Sequence, residues 1–395
     1  MNEIKFKEFY QTALKGHEGQ YHYAAHSHHL WPDVSKLAHE EAWNDAALKS
    51  DNKWGKIFET IIPDVQKLIA DILNLKESKN IVFAPNTHEL VNRLFSLFPH
   101  KQEIKLLTTD SEFHSFNRQL SRLEEDGRVL ATRMNTDSIF TDRKKWVDDF
   151  IQKIQTTEFD MIFMSTVFFN SGFAFSNADL ERIVESVPKK TMIVLDGYHG
   201  FCALPYDFSK LEGRIFFIAG GYKYAQAGEG VCFMLTPPGE WRPANTGWFA
   251  EFNNLHLAPG KTVAYADGAN AFWGGTFDPT GLYRFRAIWS FFKEQGITVS
   301  MIHAHVFAMQ KAGLTNGLHQ DQLLMNFDDF LDGHHGHFLT YKHPTEEAAQ
   351  AFSNRLTEKK ILHDRRGTRV RLGFGLYQDF DDVLYLVRNY PYDEP

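Results

Sequence analysis

Three side chains in one stretch, residues 191–230, have the types and spacing to do chemistry together: Asp196, His199 and Lys223. Asp196 ends an apolar run at 192–195, and Lys223 follows a second apolar run at 215–219 through Gly220, Gly221 and Tyr222. Both runs have the length and Ile/Val/Phe content of strands buried on both faces. Each therefore carries a reactive group just past its C-terminal end, the edge at which open α/β sheets bind ligands. A lysine there forms an imine with an aldehyde once it spends time as the free amine, which burial and nearby cations favour. A buried carboxylate favours a protonated ring nitrogen beside it. Taken alone, an aspartate ending a strand is a turn former and a lysine after Gly-Gly a solvated loop residue. Taken together, acid, histidine and lysine match what pyridoxal phosphate (PLP) requires of a protein.

The flanking residues extend the pattern. Asp196-x-x-His199, then Gly221-Tyr222-Lys223-Tyr224 and Ala227-Gly228-x-Gly230, resembles the class V PLP enzymes of fold type I, with kynureninase as the nearest member. Thr246-Gly247-Trp248-Phe249, Gly274-Gly275-Thr276, and Arg371 ahead of Leu376-Tyr377 are similar to later segments of that family. The resemblance runs from about residue 20 to 390. It implies the fold type I transferase fold: a large α/β domain with a mostly parallel sheet flanked by helices, plus a smaller α+β domain. It also implies a Lys223 imine with PLP, Asp196 on the ring nitrogen, and His199 and Tyr222 orienting ring and phosphate. Trp248 and Thr276 would reach a partner subunit's phosphate in a homodimer, and Arg371 would hold the substrate carboxylate. Kynureninase-type hydrolysis of a Cβ–Cγ bond is the expected reaction; a class V aminotransferase or β-lyase is the alternative, and a non-catalytic ligand-binding homologue a second. A cysteine desulfurase is disfavoured, because no cysteine follows Cys232 to act as a late nucleophile.

The elements that must position these groups follow from periodicity. A helix is expected over 4–15, from its apolar positions Ile4, Phe6, Phe9, Tyr10, Ala13 and Leu14, and others over 32–49 and 54–73. From residue 81 strands and helices alternate: strands at 81–83, 104–108, 129–134, 161–165 and 231–236, helices at 89–98, 143–155 and 177–187. Alternating βα units build a parallel sheet with helices on both faces. The turn at 84–88 joins a strand to a helix N-terminus, a ready phosphate cradle, with a Thr87 hydroxyl and a His88 N–H as donors. The same residues equally serve as a plain N-cap. Phe113 is the expected ring over the cofactor face, with His114 as the alternative. Helices at 281–294, 298–312, 348–357 and 379–388 and a strand at 370–374 complete the chain. Arg369 competes with Arg371 for the carboxylate, since strand alternation puts both on one face. Residues 364–367 read as a turn with solvated or ion-paired charges. The expected organisation is an N-terminal segment (1–50) at the active-site mouth, a PLP-binding domain (51–290) and a small domain (291–395).

Composition narrows the class. A formal charge of −8 and a pI near 6.2 argue against general nucleic-acid affinity. Two cysteines, Cys202 and Cys232, exclude a disulfide framework and fit a reducing cytoplasm. The charged N-terminus does not read as a signal peptide, and no apolar run suits a membrane. Four histidines at 22–29 raise the question of a metal, but no Cys or acid is interleaved at a zinc spacing, so none is expected; His28 or His29 is instead placed at the substrate.

Overall fold

A computed structural model describes residues 5–254, 256 and 260–391. Its centre is a sheet of seven strands: β1 (Ile81–Ala84), β2 (Ile104–Thr109), β3 (Val129–Met134), β4 (Met161–Ser165), β5 (Met192–Asp196), β6 (Phe216–Gly220) and β7 (Cys232–Leu235). The spatial order is β1-β7-β6-β5-β4-β2-β3. All neighbours are parallel except where β7 meets β1 and β6. The reversal follows from the connection: residues 221–231 contain no helix, and without a crossover element the chain must turn back antiparallel. As a result Cys232, at the start of β7, lies at the edge where β5 and β6 end.

β1, β4, β6 and β7 are buried along their whole length, as strands covered on both faces must be. The covering helices include α1 (Val34–Lys49), α2 (Ile62–Leu73), α3 (Thr87–Phe95), α4 (His114–Glu125), α5 (Arg143–Thr156), α6 (Asn177–Ser186) and α7 (Thr280–Glu294). The helix expected at 54–73 is interrupted by a π turn at Ile57–Ile61 before α2. The one expected at 4–15 is a 3-10 turn, Phe6–Tyr10, followed by a helical turn, Gln11–Gly16; Ile4 lies outside the described residues. α8 (Val299–Asn316) leads to a second, antiparallel sheet of β8 (Phe338–Lys342), β9 (Asp364–Arg366) and β10 (Arg369–Gly373), in the order β9-β10-β8. α9 (Glu346–Glu358) and α10 (Phe380–Asn389) pack beside it. Residues 364–367, expected as a turn, thus form one arm of a hairpin.

The N-terminal segment ties the two sheets together. Tyr21–His22 pairs in parallel with Ile361–Leu362, and Lys7 bonds Asp379 and Asp382 at the start of α10, 2.9 and 2.7 Å away. α1 packs along α7, where the Tyr283 hydroxyl donates to Asp45 at 2.8 Å.

Candidate active site

The C-terminal edge of the large sheet opens into a cavity of ≈ 780 Å³, within the range of about 300–1,000 Å³ usual for small-molecule sites. Asp196, His199, Tyr222 and Lys223 line it, together with Thr87, His88, Phe113 and Arg371. Residues more than two hundred positions apart therefore share one cavity, because the strand ends and β10 converge there.

Lys223 sits on the β6–β7 loop, which α7 fixes from behind. Arg284 donates to the carbonyls of Ala227 and Glu229 at 2.6 and 2.9 Å, and Trp289 to that of Ala225 at 3.2 Å. Gln226 holds a left-handed backbone (φ 64°), and its side chain accepts from the buried Tyr10 hydroxyl at 2.5 Å. Gly228 also has positive φ, and a Cβ there would come within 2.3 Å of the Trp31 ring. Lys223 Nζ bonds the His199 ring. Burial, and then the Arg371 cation, lower its pKa from 10.5 to about 7, so the amine is available as a free base near neutrality.

Asp196 ends β5 opposite Ser165 of β4, and its Oδ1 accepts from the Tyr198 N–H at 2.9 Å. Burial raises its carboxyl to about 6, against that bond and the Lys223 charge. His199 is held neutral, first by burial and then by Lys223 and Arg371. Arg371 reaches the cavity from β10. Its terminal nitrogens bond the Phe169 carbonyl and Asp364, while its Nε is buried without a hydrogen-bond partner. Arg369 points the same way but donates to the Asn170 carbonyl at 3.0 Å and does not line the cavity.

At the opposite wall Asn86 caps α3, its side chain accepting from Glu89 N–H at 2.9 Å. The N–H groups of Thr87 and His88 are thereby left at a positive helix end facing the cavity. Phe113, though surrounded by structure, is 40% exposed because its ring faces the cavity; His114 instead packs on Phe169 with ring centroids 5.0 Å apart.

Four expected residues do not line this cavity. His28 packs against the Tyr222 ring at 5.0 Å and is not among the lining residues; His26, two positions earlier, is. The physical reason is the Ala24–Gly373 bridge, which anchors the strand so that His26 turns inward over Phe338. His29 is fixed structurally, bonding the Leu30 carbonyl and the Leu376 N–H. Trp248 and Thr276 bond each other at 3.3 Å on the surface, with Trp248 55% exposed, away from this chain's own cavity. Among the described residues no group of three or more His, Cys, Asp or Glu could hold a metal ion. No described helix is long and apolar enough to cross a membrane.

Residues that sequence reasoning passed over also line the cavity: His26, Tyr198, Ser165 and, at the mouth, Arg118 and Gln119. Tyr198 lies between two residues that were singled out, yet nothing in its spacing distinguishes it. The donor set fits PLP: a helix end for phosphate, an acid at the strand end for the ring nitrogen, and an amine of low basicity between them.

A buried lysine of low basicity and a buried acid at the edge of a doubly covered sheet make up a PLP-type site. The chain belongs to the class-V aminotransferase family, which it matches over residues 22–325, and is a PLP-dependent enzyme of fold type I. No curated protein matches it. Among solved structures it resembles a C-DES variant with glycine covalently linked to the PLP cofactor (TM-score 0.78, 13% identity, covering 96% of this chain and 98% of that one). C-DES is described elsewhere as a cystine C-S lyase. The chain also resembles the cysteine desulfurase of Thermococcus onnurineus NA1 (0.77, 16%, 98% of each chain) and the cysteine desulfurase CsdA of Escherichia coli (0.77, 14%, 98% of each chain). At these identities the likeness is one of fold.

Proposed function

We propose that the protein acts on an α-amino acid and cleaves the Cβ–Cγ bond of a kynurenine-type substrate by hydrolysis. The observation that carries the amino-acid reading is that Lys223, Asp196 and Arg371 face one cavity from three separate elements. Arg371, which lines the cavity, takes the α-carboxylate and so fixes the Cα–H bond against Lys223. Lys223, whose amine is in part the free base near neutral pH, removes the α-proton and returns it. PLP, when bound, withdraws electrons from Cα. Asp196 supports the protonated ring nitrogen, the helix end at Thr87 and His88 holds the phosphate, and His199 and Tyr222 orient Lys223 and the ring. The aromatic walls, Phe113, Phe169 and Tyr222, suit an aryl side chain.

A β-lyase reading has one observation in its favour. The only thiol at the cavity, Cys232, is buried, and burial pushes it up to about 11. It is a poor acceptor for sulfur, so sulfur chemistry here would be an elimination needing no protein thiol. Trp248 and Thr276 fit a homodimer in which each subunit completes the other's phosphate site, and two free buried cysteines fit a reducing cytoplasm. The test is to offer kynurenine, 3-hydroxykynurenine, cystine, and alanine with a 2-oxo acid. Anthranilate and alanine in equal amounts support the proposal; pyruvate from cystine, with neither kynurenine consumed, replaces it with the lyase reading.

A further inference from the structure

The Lys223 amine lies 5.5 Å from the ring centroid of Phe113 and 5.5 Å from that of Tyr198. The two rings arrive from opposite sides. Phe113 follows β2, two places from β5 in the sheet, whereas Tyr198 leaves β5 toward β6 and β7. Its path crosses Gly220, where a Cβ would come within 2.7 Å of the Tyr198 hydroxyl and 2.6 Å of Cys232 Sγ. Both rings line the cavity, so a flat group attached to Lys223 enters a slot with an aromatic wall on each side.

The far end of the Tyr198 ring has its own unmet need. Its hydroxyl accepts from the Tyr222 N–H and contacts Cys232 Sγ at 3.6 Å, so its own proton faces only that sulfur. The Thr87 N–H, at the start of α3, is directed at the same sulfur. A thiol sulfur is a weak acceptor, and here two donors converge on it, one of them at a positive helix end. What that corner lacks is an anionic oxygen. Burial holds the phenol well above its ordinary value, so it remains a donor at neutral pH.

We infer that Tyr198 is a cofactor-holding residue: its ring is the wall facing Phe113 across Lys223, and its hydroxyl donates to the phosphate at Thr87. The inference rests on the PLP reading of the site.

The experiment titrates cofactor-stripped full-length protein with PLP and, separately, with pyridoxal, which has no phosphate. Tryptophan fluorescence and visible absorbance are followed. Tyr198→Phe is expected to weaken PLP roughly ten- to a hundredfold, the worth of a hydrogen bond to a charged group, and to leave pyridoxal unchanged. Tyr198→Ala weakens both ligands, and Cys232→Ala weakens neither, since the sulfur only fills the place of the phosphate. Equal effects of Tyr198→Phe on both ligands, or none on either, overturn the inference. Should Tyr198→Ala fold poorly, the Tyr198→Phe comparison alone decides, because it keeps the ring. Wild-type protein that takes up neither ligand would bring down the PLP reading itself, an outcome distinct from wild type binding PLP and Tyr198→Phe binding it equally well.

Discussion

Glu112 is fully buried between the ends of β2 and β4, and replacing it by glutamine isolates one electrostatic term. Its Oε1 accepts from the Thr109 hydroxyl at 2.6 Å and the Ser165 N–H at 3.2 Å, and its Oε2 from the Ser165 hydroxyl at 2.6 Å. Burial is the largest influence and raises the carboxyl from 4.5 to about 7; the three donors oppose it and the Asp196 charge adds to it. The sign follows from proton counting. Between pH 4.5 and about 7 the folded chain keeps a proton that the unfolded chain has lost, so this group's contribution to stability falls as pH rises. At about 1.4 kcal/mol per pH unit the loss is about 3 kcal/mol, complete just above pH 7. Glutamine imitates the protonated form: its carbonyl accepts from Thr109 and the Ser165 N–H, and its amide donates to the Ser165 oxygen. Urea unfolding of cofactor-stripped wild type and Glu112→Gln, from about pH 4.5 to about pH 8, should therefore show the variant gaining about 3 kcal/mol on wild type across that range. Parallel stability curves would refute the reasoning, and a variant that loses ground as pH rises would mean that the three donors outweigh burial.

Lys223→Ala should abolish the visible absorbance of bound PLP and its fixation by borohydride; a fixed adduct in the variant would place the imine elsewhere. The rate of substrate processing should rise with pH through about 7, because Lys223 must be neutral to take the proton. Arg371→Ala should raise KM for the amino acid by roughly a hundredfold or more, the cost of leaving a carboxylate unpaired, while KM for a decarboxylated amine should change little. The same variant removes a cation that depresses Lys223, so the acid limb of the pH profile should move to higher pH; an unmoved limb would show that burial alone sets the lysine. Trp248→Ala should weaken PLP uptake, and mixing it with Lys223→Ala protein should restore partial activity if subunits share sites.

The βα alternation was legible because strands buried on both faces are continuous apolar runs, as at 161–165, which emerges with those very bounds; the half-exposed edge strand at 129–134 does so too. The same physics put Asp196 and Lys223 at strand ends, so their meeting followed once the sheet was read as parallel. What local pattern does not encode is which side chain turns inward after a tertiary contact. His28 or His29 was expected at the substrate, yet it is His26 that lines the cavity; the pairing of Ala24 with Gly373 decides the orientation, and that pairing spans the whole chain. Arg371 and Arg369 share a face by alternation, so only the Asn170 carbonyl, from the other sheet's side, separates them. Glu112 reads as one more charge before a helix; its burial depends on Thr109 and Ser165 closing over it. The π turn at Ile57–Ile61 leaves the apolar stripe intact on either side and so leaves no mark on periodicity.

In the proposed reaction Arg371 would have two linked effects. Its charge is the second cause, after burial, of the low basicity of Lys223, which keeps that amine a neutral nucleophile while the site awaits substrate. An α-carboxylate held by Arg371 would offset the guanidinium charge, so the depression of Lys223 would ease once substrate is held. An amine that must first be unprotonated to react with an aldehyde, and later be basic enough to accept an α-proton, needs such a change in its surroundings. Asp364 is already bonded to a terminal nitrogen of Arg371, and Phe169 supplies a carbonyl to the other, so the guanidinium is fixed in place before substrate arrives. In the proposed reaction a guanidinium so fixed would meet the carboxylate without reorganising, and the neutralisation would be felt at Lys223.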